Sequence, residues 1–198
     1  MLNIMITGVG GQGTVLAAKL LAQAAEARNW RVRTAETIGM AQRGGSVVSH
    51  VRLGNLGESR IDSPLIVHGE ADLIIAFEPA EAVRVLPYLR KSGSVVTAAS
   101  AVQPVTAALS REPYTAQPML DYLIQTVPGA VLVNDQKLIA QIGTARALNV
   151  ALLATALAST DIGISVDELR QAVTATVRPQ FHDLNLHAID VALAALDR

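Results

Sequence analysis

Apolar and polar positions alternate in blocks whose period changes along the chain. Leu2 to Thr7 is a short apolar run and reads as a strand. From Gly13 to Arg28 the period becomes helical. Lys19, Gln23 and Glu26 share one face, and Leu16, Leu20 and Leu21 turn inward. Arg31 to Glu36 and Ser46 to Leu53 read as strands, with a polar turn region at Gly54 to Ser63. Asp72 to Phe77 (DLIIAF) is continuous enough for a strand buried on both faces, followed by a helix from Glu78 to Leu89. Val95 to Ala98 and Val131 to Asn134 are further strands, and two or three helices close the chain. One of these carries a capping box, Ser165 with Glu168. Another begins near Pro179, in the first turn where Pro is favoured. Gln103 to Met119, rich in Pro and polar residues, fits neither period.

This βα alternation predicts an α/β fold: a three-layer α/β/α sandwich on a mostly parallel, Rossmann-like sheet, with a helical C-terminal region. Strand three follows strand two too closely for a helical crossover. It is expected as an antiparallel addition. Residues 1–198 are read as a single domain.

Composition narrows the function classes. Hydrophobic residues make up 51% of the chain and aromatic residues 3%, so Ala, Val, Leu and Ile supply the core. The net charge is -1, with no basic run and few aromatic platforms, which argues against a nucleic-acid partner. Val150 to Ala158 falls well short of the ~20 residues a membrane helix needs. The chain enters a strand at once, with no basic leader, so the expectation is a cytoplasmic protein without a membrane partner. There is no cysteine, hence no disulfide, no thiolate nucleophile and no cysteine-ligated iron–sulfur cluster in this chain. His50, His68, His182 and His187 lack metal-ligand spacing, and no metal site is expected.

Two glycine-rich stretches carry the candidate chemistry. GVGGQG, Gly8 to Gly13, satisfies G-x-G-x-x-G between a strand and a helix. Gly8 permits the tight turn, Gly10 a close backbone approach to a phosphate, and Gly13 close helix–strand packing. The helix N-terminus offers unpaired N–H groups to an anion. Gly8, Gly10, Gly11, Gln12 and Gly13 are therefore candidate cofactor-binding residues. Glu36 ends the second strand, roughly where a Rossmann fold places its ribose-binding acid. The same glycines serve equally a plain close-packed turn. The second stretch, ETIGMAQRGGSVVSHVR, places Arg43 and Gln42 beside Gly44, Gly45 and Ser46. Arg43 presents a rigid donor fork suited to a carboxylate or phosphate. Its alternative is an internal pair, with Glu36 as the partner. Arg52 reads as structural. Glu78 either reaches the crevice at the strand ends or caps its own helix at Pro79.

Taken together, GVGGQGTVLAAKLLAQAA, ETIGMAQRGGSVVSHVR, SPLIVHGEADLIIAFEPAEAVR, IGTARALNVALLATAL and FHDLNLHAIDVAL resemble the gamma-type subunits of the 2-oxoacid:ferredoxin oxidoreductases. The nearest resemblance is to the small subunit of the indolepyruvate type. It spans Leu2 to about Leu193, and RGGSVVSHVR is its most specific part. It departs at Ile38, where relatives often carry a His. The resemblance implies oxidative decarboxylation of a 2-oxoacid with coenzyme A, and electrons passed to ferredoxin. It implies no tightly bound cofactor here. Thiamine diphosphate, Mg and [4Fe-4S] clusters would sit on a larger partner subunit, since this chain lacks both cysteine and the G-D-G…N thiamine signature. On that reading Arg43 and Gln42 are the candidate catalytic residues, and Gly44, Gly45 and Ser46 join the first loop as cofactor-binding ones. The Ala- and Leu-rich helices Asn149 to Ala158 and Asp190 to Leu196 are apolar beyond one face. That predicts further burial against another subunit, and a homodimer when the chain is isolated.

Overall fold

The computed structural model describes residues 1–39, 44–54, 61–102 and 114–196. One six-stranded sheet runs through it: β1 (Leu2–Val9), β2 (Arg31–Ile38), β3 (Ser46–Gly54), β4 (Ala71–Ala76), β5 (Leu89–Ala98) and β6 (Val131–Val133). The spatial order is β2-β3-β1-β4-β5-β6. β1, β4, β5 and β6 are mutually parallel, and β3 is antiparallel to both β1 and β2. The antiparallel strand was expected from the short connection. Its place is informative: it lies inside the sheet, between β1 and β2.

Helices cover both faces. On one, α1 (Thr14–Ala27), α4 (Asp135–Ile142), α5 (Leu148–Ser159), α6 (Val166–Thr176) and α7 (His182–Leu196) pack over Ile4, Ile6, Val51, Leu73 and Ile75. On the other, α2 (Pro79–Val85) and α3 (Gln117–Thr126) pack over Met5, Val48, Ile74 and Val95. The period-two alternation of the strands thus feeds two cores, one per face. Each fully buried Leu or Ile contributes about 1.5–3 kcal/mol.

Three expectations need correction. The helix expected from Glu78 to Leu89 ends at Val85. A 3-10 turn follows at Leu86–Tyr88, because Pro87 has no N–H to continue the α-helical ladder. β5 then starts at Leu89, well before Val95. Its first half is polar because it is exposed, and Gly93 sits where a Cβ would stand 2.5 Å from Leu89 Cδ1 and 2.9 Å from Ala71 O. The register against β4 slips between Ala71 and Leu73 at this point. Third, four helices follow β6 among the described residues, and α5 is apolar all round for an internal reason. Asn149 through Leu157 are all buried within this chain, where α5 packs against α1, α4, α6 and α7. Its composition therefore does not point to a second subunit. The capping box at Ser165 is present in both directions. The hydrogen bond from the Ser165 backbone N–H holds the Glu168 carboxyl below the usual range. No single helix among the described residues is long and apolar enough to cross a membrane.

Candidate functional site

After β3 the chain returns past β1 to begin β4, so the strand order reverses between β1 and β4. Ligands of open α/β sheets bind outside the strand C-termini at such a point. A cleft of about 400 Å³ opens there. Its walls are Gly11, Gln12, Gly13 and Leu16 at the start of α1, Phe77 after β4, Ser100 after β5, Asp135 and Gln136 at the start of α4, and Arg146 and Asn149 at the start of α5.

The first loop is held from several sides. The Gln12 side chain accepts the Val9 N–H at 2.6 Å and donates to Phe77 O at 2.9 Å, tying the end of β1 to the end of β4. The Gly10 N–H donates to Gly45 O at 2.8 Å, so the second glycine stretch leans on the first. Gly8 is needed for space: a Cβ would come 2.7 Å from Gln12 Oε1 and 3.1 Å from Phe77 Cβ. Gly11 has φ 102° with open space where a side chain would go. Gly13 has φ 85° and stands at the helix start without a side-chain cap. A Cβ there would meet Asn149 Nδ2 at 2.5 Å, and that amide donates to Gly13 O at 3.3 Å. The N–H groups of Thr14, Val15 and Leu16 have no carbonyl one turn earlier to meet, which leaves the positive end of α1 open.

The far wall is organised by α4 and α5. Asn134 caps α4 through Lys137 N at 3.0 Å. Buried Asp135 accepts the N–H groups of Ala99 (3.1 Å) and Ser100 (2.9 Å), and so shapes the exit of β5. Arg146 is exposed, and no carboxylate among the described residues pairs with it. An open helix N-terminus facing a free guanidinium suits an anionic ligand.

A second group of polar residues stands at the same end of the sheet. Gly39 N–H donates to Ser46 O at 2.8 Å, closing the base of the second stretch, and Gly44 has φ 77°. Ser46 Oγ donates to Glu81 Oε2 at 2.5 Å. Glu81 also accepts Arg84 Nε at 3.2 Å. Glu78 caps α2 by accepting Glu81 N–H at 3.0 Å, and accepts the Tyr114 hydroxyl at 2.8 Å. Both carboxylates are buried, and capping is the observed role of Glu78. Burial and the bond to Glu78 push the Tyr114 hydroxyl well above its usual range, so it stays a donor.

The sequence-predicted residues thus fall into three sets. Gly11, Gln12 and Gly13 line the cleft. Gly8, Gly10, Gly44, Gly45 and Ser46 build the loops around it. Arg43 and Gln42 lie outside the described residues. Glu36 is corrected: β3 separates β2 from β1, so Glu36 is exposed on an edge strand opposite Ser49, away from the ribose-binding position. Arg52 is structural, donating to Asn3 Oδ1 at 3.0 Å and Ser63 O at 2.9 Å. Sequence reasoning missed Asp135, Arg146 and Asn149. One signal was available, an Asn at the head of the apolar run of α5, with a side-chain oxygen that is buried and unpartnered. No cluster of three potential metal ligands occurs among the described residues.

The chain is 34% identical over 195 residues to the indolepyruvate oxidoreductase subunit IorB of Pyrococcus horikoshii, covering 98% of this chain and 95% of that one. It is 35% identical over 190 residues to the IorB subunit of Archaeoglobus fulgidus, covering 95% and 92%. The fold matches the gamma subunit of a keto/oxoacid ferredoxin oxidoreductase from Geobacter sulfurreducens, with TM-score 0.69, 20% identity and all of both chains covered. It also matches 31% of a chain of the Magnetococcus marinus 2-oxoglutarate:ferredoxin oxidoreductase, solved with 2-oxoglutarate, coenzyme A and succinyl-CoA bound. There the TM-score is 0.68 and the identity 17%, over 99% of this chain. Residues 3–195 match the pyruvate ferredoxin/flavodoxin oxidoreductase family, and the chain belongs to that family.

Proposed function

We propose that this chain is the non-cluster subunit of a 2-oxoacid:ferredoxin oxidoreductase of the indolepyruvate type, working in the cytoplasm as one domain. The observation that carries the reading is the end-to-end similarity to IorB subunits at 33–35% identity. In the reaction a 2-oxoacid loses its carboxylate as carbon dioxide, its acyl carbon passes to the sulfur of coenzyme A, and the electrons released reduce ferredoxin. Thiamine diphosphate with Mg would supply the electron sink and [4Fe-4S] clusters the electron path. With no cysteine and no G-D-G…N signature, this chain fits neither group, and both belong to the larger partner subunit.

The share of this chain is binding and assembly. The open N-terminus of α1 and the Arg146 guanidinium supply a seat for the phosphates of coenzyme A. Gln12 and Gly45 hold that seat rigid, so that little ordering is left to be done when the ligand arrives. Arg43 and Gln42 act at the junction with the partner's active centre. In isolation the chain is catalytically inactive and pairs with a second copy, the commonest closed arrangement.

The test is reconstitution. The chain and the larger subunit are purified separately, mixed, and assayed for indolepyruvate- and coenzyme-A-dependent reduction of a low-potential acceptor. Activity only in the mixture supports the reading. Activity of this chain alone with a nicotinamide or flavin overturns it.

A further inference from the structure

The cleft at the strand C-termini contains one atom that its own walls leave unmet. Asn149 lines the cleft and is 5% exposed. Its Nδ2 donates to Gly13 O at 3.3 Å. That carbonyl also takes the Ala17 N–H at 3.1 Å and can only accept, so the NH2 end of the amide has to face it. This orientation puts Oδ1 on the other side of the amide, buried, with no donor among the described residues. Native folds seldom leave a buried acceptor in that state, and one in the wall of a cleft calls for a donor on the ligand.

The surroundings limit what that donor can be. Gly13 precedes α1 with φ 85° and no side-chain cap, so the N–H groups of the first turn are open to an anion. An anion bound there stands about 3 Å from those groups. The charged oxygens of a phosphate have no hydrogen to give, and they repel an amide oxygen. Oδ1, bonded through its own amide to Gly13, therefore meets a hydroxyl or N–H carried close beside the anion. Coenzyme A has phosphates in two places. Its diphosphate is flanked on both sides by methylene groups, which offer no donor. Its ribose 3′-phosphate has the 2′-hydroxyl on the next ring carbon.

We propose that Asn149 is a specificity residue of this cleft, with Oδ1 accepting the 2′-hydroxyl of a ribose whose 3′-phosphate lies on the N-terminus of α1. The proposal rests on the coenzyme A seat proposed above and adds which end of the molecule occupies it. Arg146, in the same wall, supplies charge to the phosphate, and Asn149 reads the group beside it. The bond to Gly13 fixes the acceptor before the ligand arrives.

The probes are adenosine 3′,5′-bisphosphate, which reproduces that end of coenzyme A, and its 2′-deoxy analogue. Each is titrated by calorimetry into the full chain and into its complex with the larger subunit, beside coenzyme A itself. Wild type is expected to bind the ribose form about tenfold or more tightly, because the analogue leaves Oδ1 unmet. Asn149→Ala is expected to bind the two forms alike. The readout is the difference between the probes, so a general loosening of the Gly13 turn does not imitate it. If Asn149→Ala does not fold, the wild-type pair decides. Equal affinities of wild type for the two forms overturn the proposal, and so does a preference that survives in Asn149→Ala, since another group then reads the hydroxyl. In either case the coenzyme A seat stands. Binding of coenzyme A without binding of either probe places its other end in the cleft and also overturns the proposal. If coenzyme A itself does not bind, the seat falls first.

Discussion

At the scale of single residues, Gln12 illustrates how a candidate ligand-binding side chain serves the loop itself. Both ends of its amide are engaged by backbone groups, Val9 N–H and Phe77 O. Gln12→Ala leaves these groups of a half-buried loop without partners, at a cost of about 1–3 kcal/mol. The urea midpoint should drop with an unchanged slope. Gln12→Glu keeps the acceptor for Val9 but loses the donor to Phe77, and should fall between the two. His50 predicts a pH dependence. Its folded pKa lies below the ordinary 6.5, so on acidification the unfolded chain takes up the proton first. The stabilisation is complete above about 6.5 and is lost as pH falls toward the folded value. Wild type should lose more stability between about pH 7.5 and 5 than His50→Leu, which starts less stable because Ile66 N–H loses its acceptor. Parallel losses in the two proteins would show that the buried neutral ring is not the cause. For Arg43→Ala, the expected outcome is an unchanged melting temperature of the isolated chain. Turnover of the reconstituted complex should fall at least about tenfold, or about 1.4 kcal/mol. Turnover equal to wild type would remove Arg43 from the candidate catalytic set.

At the scale of elements, the start of α1 shows why Gly13 resists substitution. A left-handed backbone costs a residue with a Cβ about 1–2 kcal/mol, and here the new atom also meets the Asn149 amide. Gly13→Ala should therefore destabilise by more than that range. A double mutant with Asn149→Ala should recover part of the loss, and strict additivity would show that the contact is unimportant. Much of this element was legible. A G-x-G-x-x-G between an apolar strand and an amphipathic helix fixes a tight turn and an open helix end by local sterics alone. The hairpin from β2 to β3 was legible too, because a short connection leaves only antiparallel pairing. What was not legible was β3's position beside β1, a long-range choice that moved Glu36 away from the loop. The far wall of the cleft was hidden for a related reason. Asp135, Arg146 and Asn149 join the cleft from far along the chain, Asn149 in contact with Gly13, and no local period records that meeting. Pro87 is a local stop signal in the sequence, and the α-helix ends at Val85, two residues before it.

At the scale of the whole molecule, one of the surfaces from which the sequence implied a partner is taken up inside the chain. The apolar excess of α5 is absorbed by α1, α4, α6 and α7, so that helix has no face left to offer. Among the open features of the described residues are the cleft at the strand C-termini, with Arg146 in its wall, and a small apolar pocket on the α2 side. Neither contains a residue set able to move electrons, and the chain has no cysteine with which to hold a cluster in the usual way. A binding role without redox chemistry predicts a specific kinetic pattern in the assembled enzyme. On the coenzyme A reading proposed above, Arg146→Ala in the wall of the cleft is expected to remove a charge-assisted contact to the ligand and to leave the chemical step to the partner. The KM for coenzyme A should rise about ten- to hundredfold, while kcat at saturating coenzyme A and the KM for the 2-oxoacid stay near wild type. A solvated arginine without an ion partner contributes little to stability, so the melting temperature should not move. The measurement is a steady-state series in coenzyme A at fixed indolepyruvate, with the reconstituted complex. A fall in kcat with unchanged KM for coenzyme A would place Arg146 in the chemical step. An unchanged pair of constants would place the phosphates elsewhere on the complex and leave this cleft without its ligand.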